Sequence, residues 1–205
     1  MSQPRVLDGL VMPAVLQLAQ ARLDTTFKIK VYPRRYMAVR LSRGAFDIGI
    51  STTPVPAENV DVLPFSRGAI CAILRREHRF AGRAVLDPME LAGEPCIALD
   101  ETTAIRRLTD QRHPMIAEKL GVTHEVSSTD TAIQMVRAGM GFTLIDPTGM
   151  APDQLGAVSV VPLTPRTEIE IDIFLPRTAH VHTARAPFIR VLREIELPGL
   201  TKIVR

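Results

Sequence analysis

The chain has 205 residues, of which 46% are apolar and 23% charged, with a formal net charge of +3. This composition is typical of a globular protein and excludes a disordered, collagen-like or coiled-coil chain. Aromatic residues make up only 4% and tryptophan is absent, which argues against the stacking surface of a single-stranded nucleic-acid binder. The small excess of positive charge argues against a surface built to bind polyanions.

The two cysteines, Cys71 and Cys96, lie in separate apolar runs and form no CxxC pair. A disulfide framework or a zinc knuckle therefore has no support, and a reducing cytoplasm is the expected location. The first residues lack the basic-then-apolar pattern of a signal peptide, and no apolar run reaches the roughly 18 residues of a membrane span. We expect neither secretion nor contact with a membrane.

The first quarter of the chain predicts a helix, a strand, a second helix and a second strand. Apolar residues at three- and four-residue intervals predict a helix over about 10–23. The alternating apolar run at 27–32 predicts a strand; after Pro33, helical spacing resumes until Gly44, a typical left-handed helix cap. The run FDIGI at 46–50 predicts the next strand. This order indicates one parallel crossover unit.

The remaining sequence predicts a second α/β unit and an extended tail. Further strands are predicted at 60–65, 70–74, 96–99, 124–126, 142–145, 158–163 and 169–175. Helices are predicted after the N-cap Asp87, at 104–112, from a capping box of Thr131 and Gln134 to Gly139, and around Phe188, Val191, Leu192 and Ile195. Two successive α/β units predict two lobes.

Three motifs could carry chemistry, and each has a plainer interpretation that we favour. Gly139-x-Gly141 follows a helix and opens a strand, whereas a dinucleotide loop does the reverse, so a helix stop is favoured. His180 and His182 lack further metal ligands nearby and are better explained as exposed loop histidines. The arginine cluster at 75–83 is explained by a solvated linker face rather than by phosphate binding.

No GxSxG elbow, HExxH helix or Walker loop occurs in the sequence. The sequence therefore has no positive signal for an enzyme, and we expect neither a catalytic residue nor a bound metal or cofactor.

Hydroxyl groups and paired arginines occur where predicted strands end and helices begin. These points are 32–35, 51–53, 100–103 and 127–130. Ligands of open parallel sheets gather at the carboxyl ends of strands, and helix starts favour a carboxylate or a phosphate. The alternative is that Ser128 and Thr129 merely cap a helix and that Arg34 is a surface charge. Four such points together favour a small-molecule site.

Four stretches carry a resemblance to a known family. They are DGLVMPAVLQLAQ at 8–20, RLSRGAFDIGIS at 40–51, REHRFAGRAVLDPMELAGEPCIAL at 76–99 and DTAIQMVRAGMGFTLIDP at 130–147. In order and spacing they resemble the effector-binding domain of LysR-type transcriptional regulators. The resemblance implies the α/β fold of type 2 periplasmic binding proteins, with two lobes and an effector cleft between them. It places lobe I at 1–72 plus 173–205 and the inserted lobe II at 73–172.

The resemblance also implies which residues contact the effector. Arg5 and Val6 match the loop after the first strand, and Arg34 stands where the family often has serine or threonine. The remaining candidates are Ser51, Thr102, Thr103, Ser128 and Asp146. Because a guanidinium can hold a carboxylate by two parallel hydrogen bonds, we expect a small anionic effector, a carboxylate or amino-acid-like molecule.

The chain departs from the family pattern in three respects. The strand that should precede Pro4 is missing, Arg79 replaces the proline of a usual His-Pro pair, and the DNA-binding winged helix-turn-helix is absent. The expected protein is the effector-sensing domain of a cytoplasmic transcription regulator, which forms a homodimer through this domain and a tetramer in the full-length parent. DNA would be bound only through the missing domain. The alternative is a solute-binding protein of a transport system.

Overall fold

The computed structural model describes residues 1–21, 25–113, 121–177 and 182–203. The chain divides into two compact units, here called unit 1 (Met1–Gly68 with Ile169–Arg205) and unit 2 (Ala69–Glu168). The lobe bounds expected from the sequence, 72/73 and 172/173, lie slightly further along the chain, and that lobe assignment stays a prediction.

The first helix, α1, has three consecutive parts, the α-helical turn Pro4–Val6, the π-helical stretch Leu7–Val11 and the α-helix Met12–Gln20. The other labelled helices are α2 (Arg34–Ser42), α3 (Ala104–Arg112), α4 (Thr129–Arg137), α5 (Pro152–Ala157) and α6 (Arg185–Glu194). Short 3-10 turns cover Pro88–Leu91 and Pro147–Gly149. Within the part of the chain described, no helix has the length and apolarity needed to cross a membrane.

The strands form three sheets. They are β1 (Gly49–Thr52), β2 (Val60–Ala69), β3 (Cys71–Arg75), β4 (Cys96–Leu99), β5 (Val122–Val126), β6 (Thr143–Ile145), β7 (Val158–Pro162), β8 (Glu168–Pro176) and β9 (Leu200–Lys202). The strand orders are β1-β8-β2-β9, β6-β3-β7 and β4-β5. β3 is antiparallel to both neighbours, whereas β4 and β5 are parallel.

An extended segment at the start of the chain adds to the first of these sheets. Ser2 forms parallel bridges with Val31 on one side and with Ile50 of β1 on the other. Residues 1–3 therefore hold one bridged residue where the resemblance expects a strand, and no strand is assigned there.

The core of unit 1 lies between its helices and its sheet. Along α1, residues four apart are buried, including Val6, Leu10 and Ala14, because this spacing keeps them on one helical face. This helix packs against α6. On the other side, Met37 and Leu41 of α2 are buried with β-strand residues.

The core of unit 2 is built around β3, whose residues Cys71 to Leu74 are all buried. α4 packs on β3, β4 and β6 and buries Ala132, Ile133 and Val136. The spacing of these three residues is that of one helical face. The turn at Pro88 begins with a complete capping box, in which Asp87 accepts from the N–H of Met89 at 2.9 Å, as the sequence predicts.

Several predicted elements of unit 1 have different bounds in the structure. The first helix begins at Pro4 rather than near residue 10, and the predicted end at 22–23 lies outside the described residues. The strand predicted at 27–32 was wrong, because the bridge at Val31 is its only strand pairing among the described residues and a strand needs a ladder of pairs. The strand expected at 46–50 is instead β1, which pairs antiparallel with β8.

In unit 2, the capping box predicted from Thr131 and Gln134 was wrong. Ser128 is the N-cap and accepts from the N–H of Thr131 at 3.5 Å, while Gln134 donates to the Asp130 carboxylate at 2.9 Å. The cap lies three residues earlier because Ser128 already has extended backbone angles.

Two elements, α5 of unit 2 and β9 of unit 1, were not predicted, since both are short and lack a periodic apolar pattern.

Candidate functional site

Three extended segments of unit 1 end at the same edge, because Ser2 bridges Val31 and Ile50 in parallel. Gln3, Arg34 and Thr52 each follow one of these bridged residues within three positions. The carboxyl ends of parallel segments are where open α/β sheets bind ligands. The structure thus brings two of the predicted points, 32–35 and 51–53, to one edge together with Gln3.

The Gln3 side chain is buried and fixed from one side. Its Oε1 accepts from the backbone N–H of Thr52 at 3.2 Å and from the Thr52 hydroxyl at 3.1 Å. Its Nε2 is buried and has no hydrogen-bond partner among the residues the structure describes. Gln3 is also the N-cap of α1, but its side chain does not cap the helix. A buried amide donor is thus left at an uncapped helix start.

Arg34 lies at the start of α2. Its Nη2 donates to the Pro54 carbonyl oxygen at 2.5 Å, which orients the guanidinium. Its Nε is buried and has no hydrogen-bond partner within the described ranges. The N-cap of this helix is Pro33, which has no side-chain cap. The first N–H groups of both helices are therefore without a side-chain acceptor, which is the usual arrangement at an anion site.

The other predicted site residues of unit 1 are more buried than Arg34. Val6 is fully buried and belongs to the hydrophobic core. Ser51 is also fully buried, and its hydroxyl donates to the Thr52 carbonyl oxygen at 3.0 Å. The Arg5 side chain follows Gln3 and Pro4 in the first turn of α1, where burial lowers its pKa to about 9. A nearby anion would favour the charged form of the guanidinium and so raise this pKa again.

The loop that precedes α3 uses its polar groups internally. The hydroxyl and the N–H of Thr102 both bond to Asp100 and hold the pKa of that carboxyl below its usual range; the N–H donates at 2.7 Å. The Thr103 hydroxyl donates to the Asp100 carbonyl oxygen at 2.8 Å and accepts from the N–H of Arg106 at 3.3 Å. Neither threonine has the free hydroxyl donor that the sequence suggests.

Ser128 and Asp146 are also helix caps. The Ser128 oxygen accepts from the N–H of Thr131, so its hydroxyl proton is still able to donate. Asp146 is 1% exposed and accepts from the N–H and the hydroxyl of Thr148 at the turn Pro147–Gly149. Of the predicted residues in unit 2, Ser128 alone combines an exposed position with a hydroxyl that accepts a cap bond.

Replacing Ser128 with alanine is expected to lower the free energy of unfolding by about 1 kcal/mol, because the Thr131 N–H loses its acceptor. The neighbouring Ser127→Ala is the matched control, since Ser127 is exposed and lies outside the helix. Urea unfolding followed by circular dichroism measures both. Equal stabilities of the two variants would contradict the cap assignment.

Gln3 was missed by the sequence analysis. The available signal was the Gln3-Pro4 pair, since proline is favoured at the first helical position and makes the preceding residue the N-cap. Placing the helix start near residue 10 concealed that signal.

The structure agrees with the plainer interpretations of Gly139-x-Gly141 and of the arginine cluster, whereas that of the two histidines is tested at His182 alone. Gly139 follows α4 with φ 79° and Gly141 precedes the bridged residue Phe142, as in a helix stop. Arg79 and Arg83 donate to Glu94 and Glu90 at 2.7 Å, as on a solvated ion-paired face. His182 is exposed, and His180 lies outside the described residues. In the described part of the chain, no group of three or more His, Cys, Asp or Glu side chains is placed to hold a metal.

Comparisons with known proteins identify relatives over most of the chain. The profile of the family described as LysR substrate binding domain matches residues 4–195. The transcriptional activator protein LysR of Escherichia coli K12 is 30% identical over 140 residues, which cover 66% of this chain and 44% of that protein. The "Probable hydrogen peroxide-inducible genes activator" of Mycobacterium avium is 29% identical over 141 residues, which cover 66% of this chain and 44% of that protein.

Solved structures show the same fold. The regulatory domain of CcmR from Synechocystis PCC6803, solved in complex with 2-PG, superposes with a TM-score of 0.71 at 15% identity. The superposition covers 95% of this chain and 94% of that domain. The matched part of the chain spans less than half the length of each of these two curated relatives.

Proposed function

The chain belongs to the LysR substrate binding domain family, and from this premise we propose that it senses a small anionic effector, a carboxylate or amino-acid-like molecule, in order to control transcription. The fold is the α/β fold of that family. The proposed effector ligands are those that the sequence predicts in both units, with Gln3 added and Arg34 as the principal anchor.

One observation supports an anionic effector. Gln3 Nε2 and Arg34 Nε are buried donors without a hydrogen-bond partner among the described residues, and both lie at helix starts that no side chain caps. A buried donor left unpaired costs about 1–3 kcal/mol. A carboxylate at this edge would accept from both donors and from the helix N–H groups, so it recovers that cost and adds a charge-assisted bond.

Unit 2 contributes differently in this proposal. Ser128 offers a hydroxyl proton from an exposed position, whereas Thr102 and Thr103 are engaged with Asp100. The two threonines therefore position the start of α3. Asp146 fixes the turn Pro147–Gly149 through its contacts with Thr148.

The proposal extends to the protein of which this domain would form part. We expect this domain to form a homodimer and the full-length regulator to form a tetramer. DNA would be contacted through a separate N-terminal domain, and the cytoplasm is the expected location. The family match and the regulator relatives favour this function over a solute-binding protein of a transport system.

A peroxide-sensing role, which the name of the M. avium relative suggests for that protein, is not favoured here. The chain has two cysteines, and both are buried. Burial raises the pKa of Cys71 to about 12 and that of Cys96 to about 11. Because the thiolate is the form that reacts with oxidants, both thiols are poor sensors.

A thermal-shift screen tests the proposed function. Small carboxylates and amino-acid derivatives are each paired with an uncharged amide of the same shape. A true effector present at a hundred times its dissociation constant adds about 2.7 kcal/mol to the free energy of unfolding. We expect the stabilising compounds to be anions and their amides to be inactive. Stabilisation by an uncharged compound and by none of the anions would contradict the proposal.

A further inference from the structure

Unit 1 contains a cavity of about 460 Å³ that the effector proposal does not use. This volume lies within the range of about 300–1,000 Å³ typical of small-molecule sites. None of Gln3, Arg34 and Thr52 lines it. The cavity borders the bridged residues Ser2 and Ile50 but has none of these three candidate effector ligands in its lining.

The floor of the cavity is apolar. It includes Val11 and Val15 of α1, Ile50 of β1 and Phe188 of α6, all of which are buried. Phe27 also lines the cavity but keeps 36% of its surface exposed. An apolar group of a ligand would remove that surface from water, which is favourable in proportion to the area covered.

A partly buried arginine lines the cavity. Arg185, the first residue of α6, lines the cavity. Its Nε and one Nη are buried and have no hydrogen-bond partner among the described residues. Leaving charged donors buried and unpaired is unfavourable. The first N–H groups of α6 are already engaged, since the N–H of Ala184 donates to His182 Nδ1 at 3.1 Å and the N–H of Arg185 donates to the His182 carbonyl oxygen at 3.0 Å. The Arg185 side chain, rather than the helix start, is therefore the anchor for an anion.

The remaining charged residues of the lining are mostly basic. Lys28, Lys30, Arg40 and Arg43 line the cavity, while Asp47 is the one acidic side chain in its described lining. The Arg40 guanidinium lies over the Tyr32 ring, 4.7 Å from its centroid. The electrostatic potential of such a lining attracts anions.

We propose that this cavity is a second ligand site, which binds an amphipathic monoanion such as a medium-chain carboxylate. The carboxylate pairs with Arg185 at the start of α6, and the hydrocarbon chain lies over Val11, Val15 and Phe188. The site goes beyond the effector function and does not depend on it, since the two sites share no anchor residue.

The test uses octanoate as the probe and octanamide as its uncharged match. Isothermal titration calorimetry gives the affinities, and methyl chemical shifts of a ¹³C-methyl-labelled protein give the location. We expect octanoate to bind and to shift the methyl signals of Val11, Val15 and Ile50. Arg185→Gln should weaken octanoate binding at least tenfold, and Arg185→Lys should restore most of it, because the positive charge is kept.

Two controls separate this site from the effector site. Arg190→Gln removes an exposed charge on the same helix and should leave octanoate binding within twofold of the parent. Arg34→Gln lacks the proposed effector anchor, and in this variant octanoate should still shift the methyl signals of Val11 and Val15. The proposal is overturned if octanoate does not bind at millimolar concentration, if octanamide binds as well, if Arg185→Gln binds octanoate as tightly as the parent, or if the shifted methyl groups belong to unit 2.

Discussion

Replacing Arg34 with alanine is expected to weaken binding of an anionic effector by about ten- to a hundredfold while leaving the fold intact. A hydrogen bond to a charged group contributes roughly 1.5–3 kcal/mol, which corresponds to that change in the dissociation constant. The fold is expected to persist because, among the described residues, the Arg34 side chain donates a single hydrogen bond, to the Pro54 carbonyl oxygen. Calorimetry with a carboxylate identified by the thermal-shift screen gives the dissociation constants.

Arg35→Ala is the matched control for this prediction. The Arg35 guanidinium lies over the Tyr36 ring, 4.8 Å from its centroid, and is exposed, so its removal should change the affinity less than threefold. Gln3→Glu is a second variant, which keeps an acceptor for Thr52 but replaces the Nε2 donor with a negative charge. It should reduce anion binding at least as much as Arg34→Ala. Parent-like affinity of Arg34→Ala would show that the anchor is assigned wrongly.

Gly141→Ala is expected to cause the largest loss of stability, about 3 kcal/mol or more. Gly141 has φ 142°, a conformation that L side chains rarely adopt, and a Cβ there would overlap the Pro95 carbonyl oxygen. That oxygen cannot retreat freely, because it accepts from the N–H of Phe142 at 3.0 Å. Strained backbone and overlap with a fixed atom each belong to the strongly destabilising class of substitution.

Gly156→Ala is the control for Gly141→Ala. Gly156 lies in α5, and no atom lies within 4 Å of a Cβ built there. Alanine should leave stability unchanged or raise it by up to about 1 kcal/mol, because glycine is a poor helix former. Thermal unfolding by circular dichroism should show a fall of several degrees for Gly141→Ala. A melting temperature equal to that of the parent would contradict the close approach of Gly141 and Pro95.

The local elements of unit 2 were predictable from sequence because their signals are local. The helix predicted at 104–112 has those bounds in the structure, and the buried run at 96–99 is β4. In both cases a few neighbouring residues, a hydroxyl cap or an unbroken apolar run, decide the structure. The N-cap of α4 was predicted less well, since Ser128 and Thr131 are both good caps and the choice between them depends on the backbone angles of Ser128.

The edge of unit 1 was less predictable because it depends on distant residues. The alternating run at 27–32 has the pattern of a strand, yet the structure gives it a bridge to Ser2 in place of a full ladder. Gln3 becomes a candidate ligand only because Thr52, far along the chain, orients its amide. No periodicity within a short window contains that contact. The sequence could therefore indicate Arg34 and the hydroxyl-rich helix starts, but not which of them retain an unpaired donor.

A structure of the domain with its bound effector tests the central claim most directly. We expect a negatively charged group of the effector to lie within hydrogen-bond distance, about 2.7–3.2 Å, of Arg34 Nε and Gln3 Nε2. Both donors should therefore have a hydrogen-bond acceptor in the complex. An effector with no negative charge, or an anionic group held away from both donors, would contradict the account.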